Sequence, residues 1–199
     1  MDLKTVKIGL IGDCKTGKTS LARFFATNGD FFSGDYFLTS GVEVFTKIMS
    51  KVKNPENRSS TFLGAENGVQ ITEMECQNLV EHIKVKVYDF GGSQIYREPI
   101  VFPVLENLSD FVIVFDVGKR ESWKGVGNWL TILKEKVGKI NNVVVLGNLY
   151  GESREVSEEE ARQWCGEQNL EYFETGLVEY GEVDQVFKGI LQRVVETNC

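Results

Sequence analysis

Gly12-Asp13-Cys14-Lys15-Thr16-Gly17-Lys18-Thr19 decides how this chain is read. It satisfies the pattern G-x-x-x-x-G-K-[ST] at every fixed position. Before it, Val6-Lys7-Ile8-Gly9-Leu10-Ile11 has the apolar content of a buried strand. After it, Ser20-Leu21-Ala22-Arg23-Phe24-Phe25-Ala26 carries an apolar stripe at helical spacing. Strand, loop and helix in that order aim backbone N–H groups and the positive end of a helix at one concavity, which suits a polyphosphate. The candidate phosphate-binding residues are therefore Gly12, Asp13, Cys14, Lys15, Thr16, Gly17, Lys18, Thr19 and Ser20. Lys18 supplies a point charge for β- and γ-phosphates, and the Thr19 hydroxyl is a candidate Mg²⁺ ligand. A plain glycine-rich turn with a solvated lysine would leave the flanking strand and helix unexplained.

Composition narrows the class. With 199 residues and 42% hydrophobic content, the chain can bury a real core as one domain spanning 1–199. The net charge of −7, without a basic run, argues against nucleic acid as a partner. Cys14, Cys76, Cys165 and Cys199 show no paired metal spacing, so free thiols in a reducing compartment are expected. No secretory signal is recognised. The longest apolar stretch, Phe111 to Val117, is too short to cross a bilayer and contains Asp116. A cytoplasmic protein is the expectation.

Further along, Gly41 to Val52 reads as a strand and Ile83-Lys84-Val85-Lys86-Val87 as a half-exposed strand antiparallel to it. Between them, residues 53–77 hold Asn54-Pro55, Gly64 and Asn67-Gly68 and read as a loop insertion, either a binding loop or a tolerated surface excursion. Phe111 to Val117, Asn142 to Gly147 and Leu170 to Thr175 are further strands, and Glu121 to Val137 is helical. Ser157 with Glu160 forms a capping box that opens another helix. Val183, Val186, Phe187, Ile190, Leu191 and Val194 mark one face of the last helix. Strands alternating with helices predict an open, mostly parallel α/β sheet with helices on both faces. His82 reads as a strand-edge residue, and Trp123, Trp129 and Trp164 as core tryptophans of helices.

Asp89-Phe90-Gly91-Gly92 ends the Ile83 strand. An aspartate at a strand end, with glycine three residues on, can hold a Mg²⁺ shell and present a backbone N–H to a γ-phosphate. Thr39 precedes the second strand. It is either a strand-capping residue or a third Mg²⁺ ligand with Thr19 and Asp89.

Taken together, these motifs resemble the Ras-like small GTPases, and the Rab proteins most closely, over the whole chain. The resemblance implies a P-loop fold with a six-stranded sheet, one strand antiparallel, and GTP or GDP with Mg²⁺ as cofactors. It places Phe32 against the guanine, Tyr36 over the γ-phosphate, Thr39 in the first switch, Asp89 and Gly92 in the second, and Asn148 and Leu149 at the base. It places Leu177 where a backbone N–H meets the base. Tyr36 to Val44, Asp89 to Glu98 and Val156 to Thr175 further resemble the Rab-like subunits of the intraflagellar transport B complex. That likeness implies a place in the cilium or flagellum and its base, other transport subunits as partners, and a small β-sandwich subunit as heterodimer partner. Cys199 lacks the spacing of a prenylation motif, so no direct membrane anchor is expected.

Three departures bear on activity. Ser93 stands where small GTPases keep the glutamine that orients the attacking water, and Gln94 is displaced by one residue. Asn148-Leu149-Tyr150-Gly151 replaces N-K-x-D, which removes the carboxylate that reads guanine, unless Glu152 substitutes. Gly176-Leu177-Val178 replaces S-A-K. The expectation is nucleotide and Mg²⁺ binding with weak base selectivity and slow or absent hydrolysis. Three function classes follow: a nucleotide switch, a structural subunit that keeps the fold for its surfaces, and a P-loop enzyme using ATP.

Overall fold

The computed structural model describes residues 3–30, 39–53, 60–62, 80–93, 101–149, 151, 153–176 and 180–197. The chain runs β1 (Lys4–Ile11), α1 (Lys18–Ala26), β2 (Val42–Lys53), β3 (Ser60–Phe62), β4 (Val80–Phe90) and a short helix α2 (Phe102–Leu105). It continues with β5 (Asp110–Asp116), α3 (Arg120–Lys136), β6 (Asn142–Leu149), α4 (Glu158–Glu167), β7 (Glu171–Gly176) and α5 (Tyr180–Thr197).

One sheet holds all the strands in the order β3-β2-β4-β1-β5-β6-β7. The β4–β1, β1–β5, β5–β6 and β6–β7 pairs are parallel. β2 alone runs against that direction, from Val42 opposite Phe90 to Val52 opposite Val80. The six expected strands are all present. A seventh, β3, lies inside the 53–77 passage expected to be loop and pairs antiparallel with Lys51–Lys53. Three residues between breakers carry no strand signal of their own, and the pairing with the end of β2 is what extends them.

Burial follows from topology. Every residue of β5 is buried, as a central parallel strand covered on both faces requires. On one face α1 and α5 pack over Ile8, Leu10, Val85 and Leu146, with Phe25 stacked on Phe187 at 4.2 Å. On the other, α3 and α4 cover Ile113, Phe115 and Val145 with Trp129, Leu133 and Cys165. Helices thus flank both faces. The Ser157 cap forms as its box predicts, with the hydroxyl accepting from Glu160 N at 3.1 Å. His82 lies exposed on β4, 3.1 Å from the Ser50 hydroxyl through Nδ1. Trp129 is core, and Trp123 meets Trp164 edge-on at 5.3 Å.

The carboxyl ends of β1, β4, β5, β6 and β7 all open on the same edge of the sheet, where ligand crevices of open α/β sheets lie. The loop 12–17 crosses that edge.

Candidate functional site

Gly17 is the N-cap of α1 with φ 86°, a left-handed conformation that favours glycine, and no side chain caps the helix. No acidic residue occupies the first turn, which holds Lys18, Thr19 and Ser20. The positive end of α1 is therefore left for an external anion. Lys18 is only 6% exposed. Its ammonium donates to the carbonyl oxygens of Gly12 at 3.0 Å and Asp13 at 2.7 Å. Thr16 is buried, and its hydroxyl donates to the Asp13 carbonyl at 3.1 Å. Cys14 is exposed, and Lys15 takes a left-handed φ of 63° in the same loop.

Three residues from three elements meet beside Lys18. The Thr19 hydroxyl donates to Asp89 Oδ2 at 2.5 Å and lies 3.0 Å from the Thr39 hydroxyl. Thr39 also donates to the same carboxylate oxygen at 3.4 Å. Burial pushes the Asp89 carboxyl above the ordinary carboxylate range, while the Thr19 bond and the Lys18 charge pull the other way. Asp89 Oδ1 is buried with no hydrogen-bond partner among the described residues. A fully buried acceptor of that kind calls for a ligand. One carboxylate and two hydroxyls suit Mg²⁺, which keeps waters and takes its remaining oxygens from phosphate. Among the described residues no group of three His, Cys, Asp or Glu offers a rival metal site.

Gly92 closes the site. A Cβ there would lie 2.5 Å from Asp13 C and Cys14 N, so only glycine lets the β4 end approach the loop so closely. Ser93 follows and is half-buried. On the other side, Asn148 is fully buried at the end of β6 and donates through Nδ2 to the Thr16 carbonyl at 2.9 Å. Its Oδ1 has no partner among the described residues and faces the demand of a ligand in the same way. Leu149 is the last residue of β6. Gly151 is exposed, and a Cβ there would meet none of the described residues within 4 Å.

A family model described as the Ras family matches residues 53–196, well over half of the chain. The chain belongs to the Ras family. The 12–19 loop precedes the matched span, so its assignment to the phosphates rests on the geometry above. Relatives cover more of the chain. Ras-related protein Rab-11A of Dictyostelium discoideum is 26% identical over 190 residues, 94% of this chain and 75% of the relative. GTP-binding protein ypt3 of Schizosaccharomyces pombe is 27% identical over 158 residues, 78% of this chain and 72% of the relative. Intraflagellar transport protein 27 homolog of Homo sapiens is 28% identical over 182 residues, 89% of this chain and 83% of the relative.

For a Ras-family protein the geometry brings together Gly12, Asp13, Thr16, Lys18, Thr19, Thr39, Asp89, Gly92 and Asn148. Phe32, Tyr36, Gln94, Glu152 and Leu177 lie outside the described residues. Three contacts are not evident from sequence. The Asn148 amide braces the loop through Thr16. Glu174 accepts from Tyr172 Oη at 2.6 Å and from both terminal nitrogens of Arg154, so β7 holds the segment after Gly151. Burial raises the Glu174 carboxyl, but the Arg154 and Tyr172 bonds outweigh it and hold the group below its ordinary range. Finally, Trp129 donates its indole N–H to Asp13 Oδ1 at 3.0 Å.

Proposed function

We propose that this Ras-family protein binds a guanine nucleotide with Mg²⁺, hydrolyses it slowly, and serves as a Rab-like subunit of intraflagellar transport. The observation that carries the first part is the convergence of Thr19, Thr39 and the half-unpartnered Asp89 carboxylate beside Lys18. When bound there, Mg²⁺ neutralises charge on the phosphates. Lys18 holds its charge at the loop mouth, and Gly92 brings the β4 end within reach of the terminal phosphate. Asn148 would stand beside the base, while its amide keeps the loop in place through Thr16.

Slow hydrolysis is supported by Ser93, whose short hydroxyl cannot make the two amide contacts by which glutamine orients water. Weak base selectivity is supported by Gly151, which lacks the carboxylate that would accept from guanine N1 and N2. A site that leaves no group unpaired with the wrong base discriminates poorly.

The transport role is supported by the likeness to the human intraflagellar transport protein 27 homolog. On this reading the protein works at the cilium or flagellum, with a small β-sandwich subunit as its constitutive partner. Val44 and Ile48, 47% and 62% exposed on the outer face of β2, are apolar side chains such a partner could cover. Among the described residues no helix is long and apolar enough to cross a membrane.

A second reading, a structural subunit indifferent to nucleotide, is favoured by Ser93 and Gly151. Nucleotide binding separates the two, and pull-downs from ciliated cells test the constitutive pairing that both share. Co-purification of the partner with GTP, GDP or neither, persisting in Thr39→Ala, is expected of a constitutive subunit. Association only with a non-hydrolysable GTP analogue would overturn constitutive pairing and mark a switch.

A further inference from the structure

Helix α3 carries a glycine in its interior, Gly125, where alanine would be more favourable for the helix itself. The reason lies across the site. A Cβ at Gly125 would stand 3.0 Å from Asp13 Cγ and nearer still to Oδ2. One turn further on, on the same face of the helix, Trp129 donates its buried Nε1–H to Asp13 Oδ1. Together they form a seat for one carboxylate: Gly125 makes the room and Trp129 supplies the donor. A buried indole N–H needs an acceptor, and here it takes one from the phosphate loop, 116 residues away.

The main chain of the same residue reaches the other side of the site. The Asp13 carbonyl accepts from Lys18 Nζ and from the Thr16 hydroxyl. The Asp13–Cys14 peptide lies against Gly92. Fixing the side chain therefore sets the orientation of the peptide on which both Lys18 and the second switch rest. Neither Trp129 nor Gly125 belongs to the residues that would touch nucleotide.

We propose that the seat formed by Gly125 and Trp129 on α3 is a positioning element for nucleotide retention, acting through the Asp13 carboxylate to hold the phosphate loop in its binding shape. This role rests on the nucleotide-binding reading above.

Gly125→Ala isolates this role, because it strengthens the helix while displacing the Asp13 carboxylate. The experiment uses the full chain and measures three things: release of a fluorescent guanine nucleotide in Mg²⁺, thermal midpoint, and hydrogen exchange of amides 13–18. Gly125→Ala and Trp129→Phe should each speed release about tenfold, the loss expected on removing one hydrogen bond to a carboxylate. Trp129→Phe combined with Asp13→Ala should be no faster than the worse single variant, since the two act through one contact. Trp123→Phe, in the same helix but packed on Phe115 and Trp164, should leave release unchanged. An ordinary core role predicts the opposite split: Gly125→Ala with an equal or higher midpoint and unaltered release. Exchange of the 13–18 amides should quicken in both seat variants whether or not nucleotide is retained. If wild type retains no nucleotide, the functional reading falls and exchange alone decides the seat. Unaltered exchange in Gly125→Ala and Trp129→Phe, or unaltered release where nucleotide is held, overturns the proposal.

Discussion

Gly151→Asp should turn a weakly selective site into a guanine-selective one. Among the described residues nothing stands against the change: the φ is not in the left-handed region, and a new Cβ meets none of them within 4 Å. The carboxylate would stand three residues after Asn148, where it could accept from guanine N1 and N2 and would face no such donors on adenine. A hydrogen bond to a charged group is worth about 1.5–3 kcal/mol net, so the GTP-to-ATP affinity ratio should rise roughly ten- to a hundredfold. Leu149→Lys would restore the rest of the motif. Leu149 packs partly against the α3–α4 core, however, so the single variant is the cleaner test. Competition of unlabelled GTP and ATP against a fluorescent nucleotide measures the ratio in both proteins. A wild type that already prefers GTP by several orders of magnitude, or a Gly151→Asp protein that binds normally with an unchanged ratio, would refute the assignment of Gly151 as the missing base reader.

Intrinsic turnover should be no faster than the Ras-type rate, on the order of 10⁻⁴ s⁻¹, and Ser93→Gln should raise it. Single-turnover phosphate release within seconds by wild type would disprove the role given to Ser93. Glu174 is held below its ordinary value of 4.5 in the folded state, so its stabilisation is complete above that pH and fades as pH falls through the lowered folded value. Glu174→Gln should cost about 1–3 kcal/mol near neutrality and flatten that acid limb in denaturant melts between pH 6 and 3. An equal slope in both proteins would contradict it. Burial pushes the Cys165 thiol up to about 11. At pH 8 iodoacetamide should therefore label exposed Cys14 and spare Cys165 until unfolding, as peptide mass mapping would show.

What the chain disclosed in advance was whatever depends on local pattern. The 12–19 loop is legible because each fixed residue has its own physical duty: Gly17 the left-handed cap, Lys18 the charge, Thr19 the hydroxyl. The Ser157 cap and the buried run of β5 are local in the same sense. β3 was hidden because Ser60–Phe62 becomes a strand only by pairing with Lys51–Lys53. Periodicity puts Trp129 in the core, where it is, but cannot reveal where an indole N–H points. One signal was available: Gly125 inside an amphipathic helix, a cost that local structure does not repay. The link from Glu174 to Arg154 leaves no trace in local pattern, because it joins a strand residue to a loop residue 20 positions away through a paired hydrogen bond and opposite charges.

The account turns on whether Lys18, Thr19, Thr39 and Asp89 form a nucleotide and Mg²⁺ site. Titration of a fluorescent GTP analogue, with and without Mg²⁺, against wild type and Lys18→Ala tests that most directly. Saturable binding by wild type that weakens when Mg²⁺ is chelated and disappears in a folded Lys18→Ala protein is the predicted result. Equal signals from the two proteins, or binding indifferent to Mg²⁺, would contradict it.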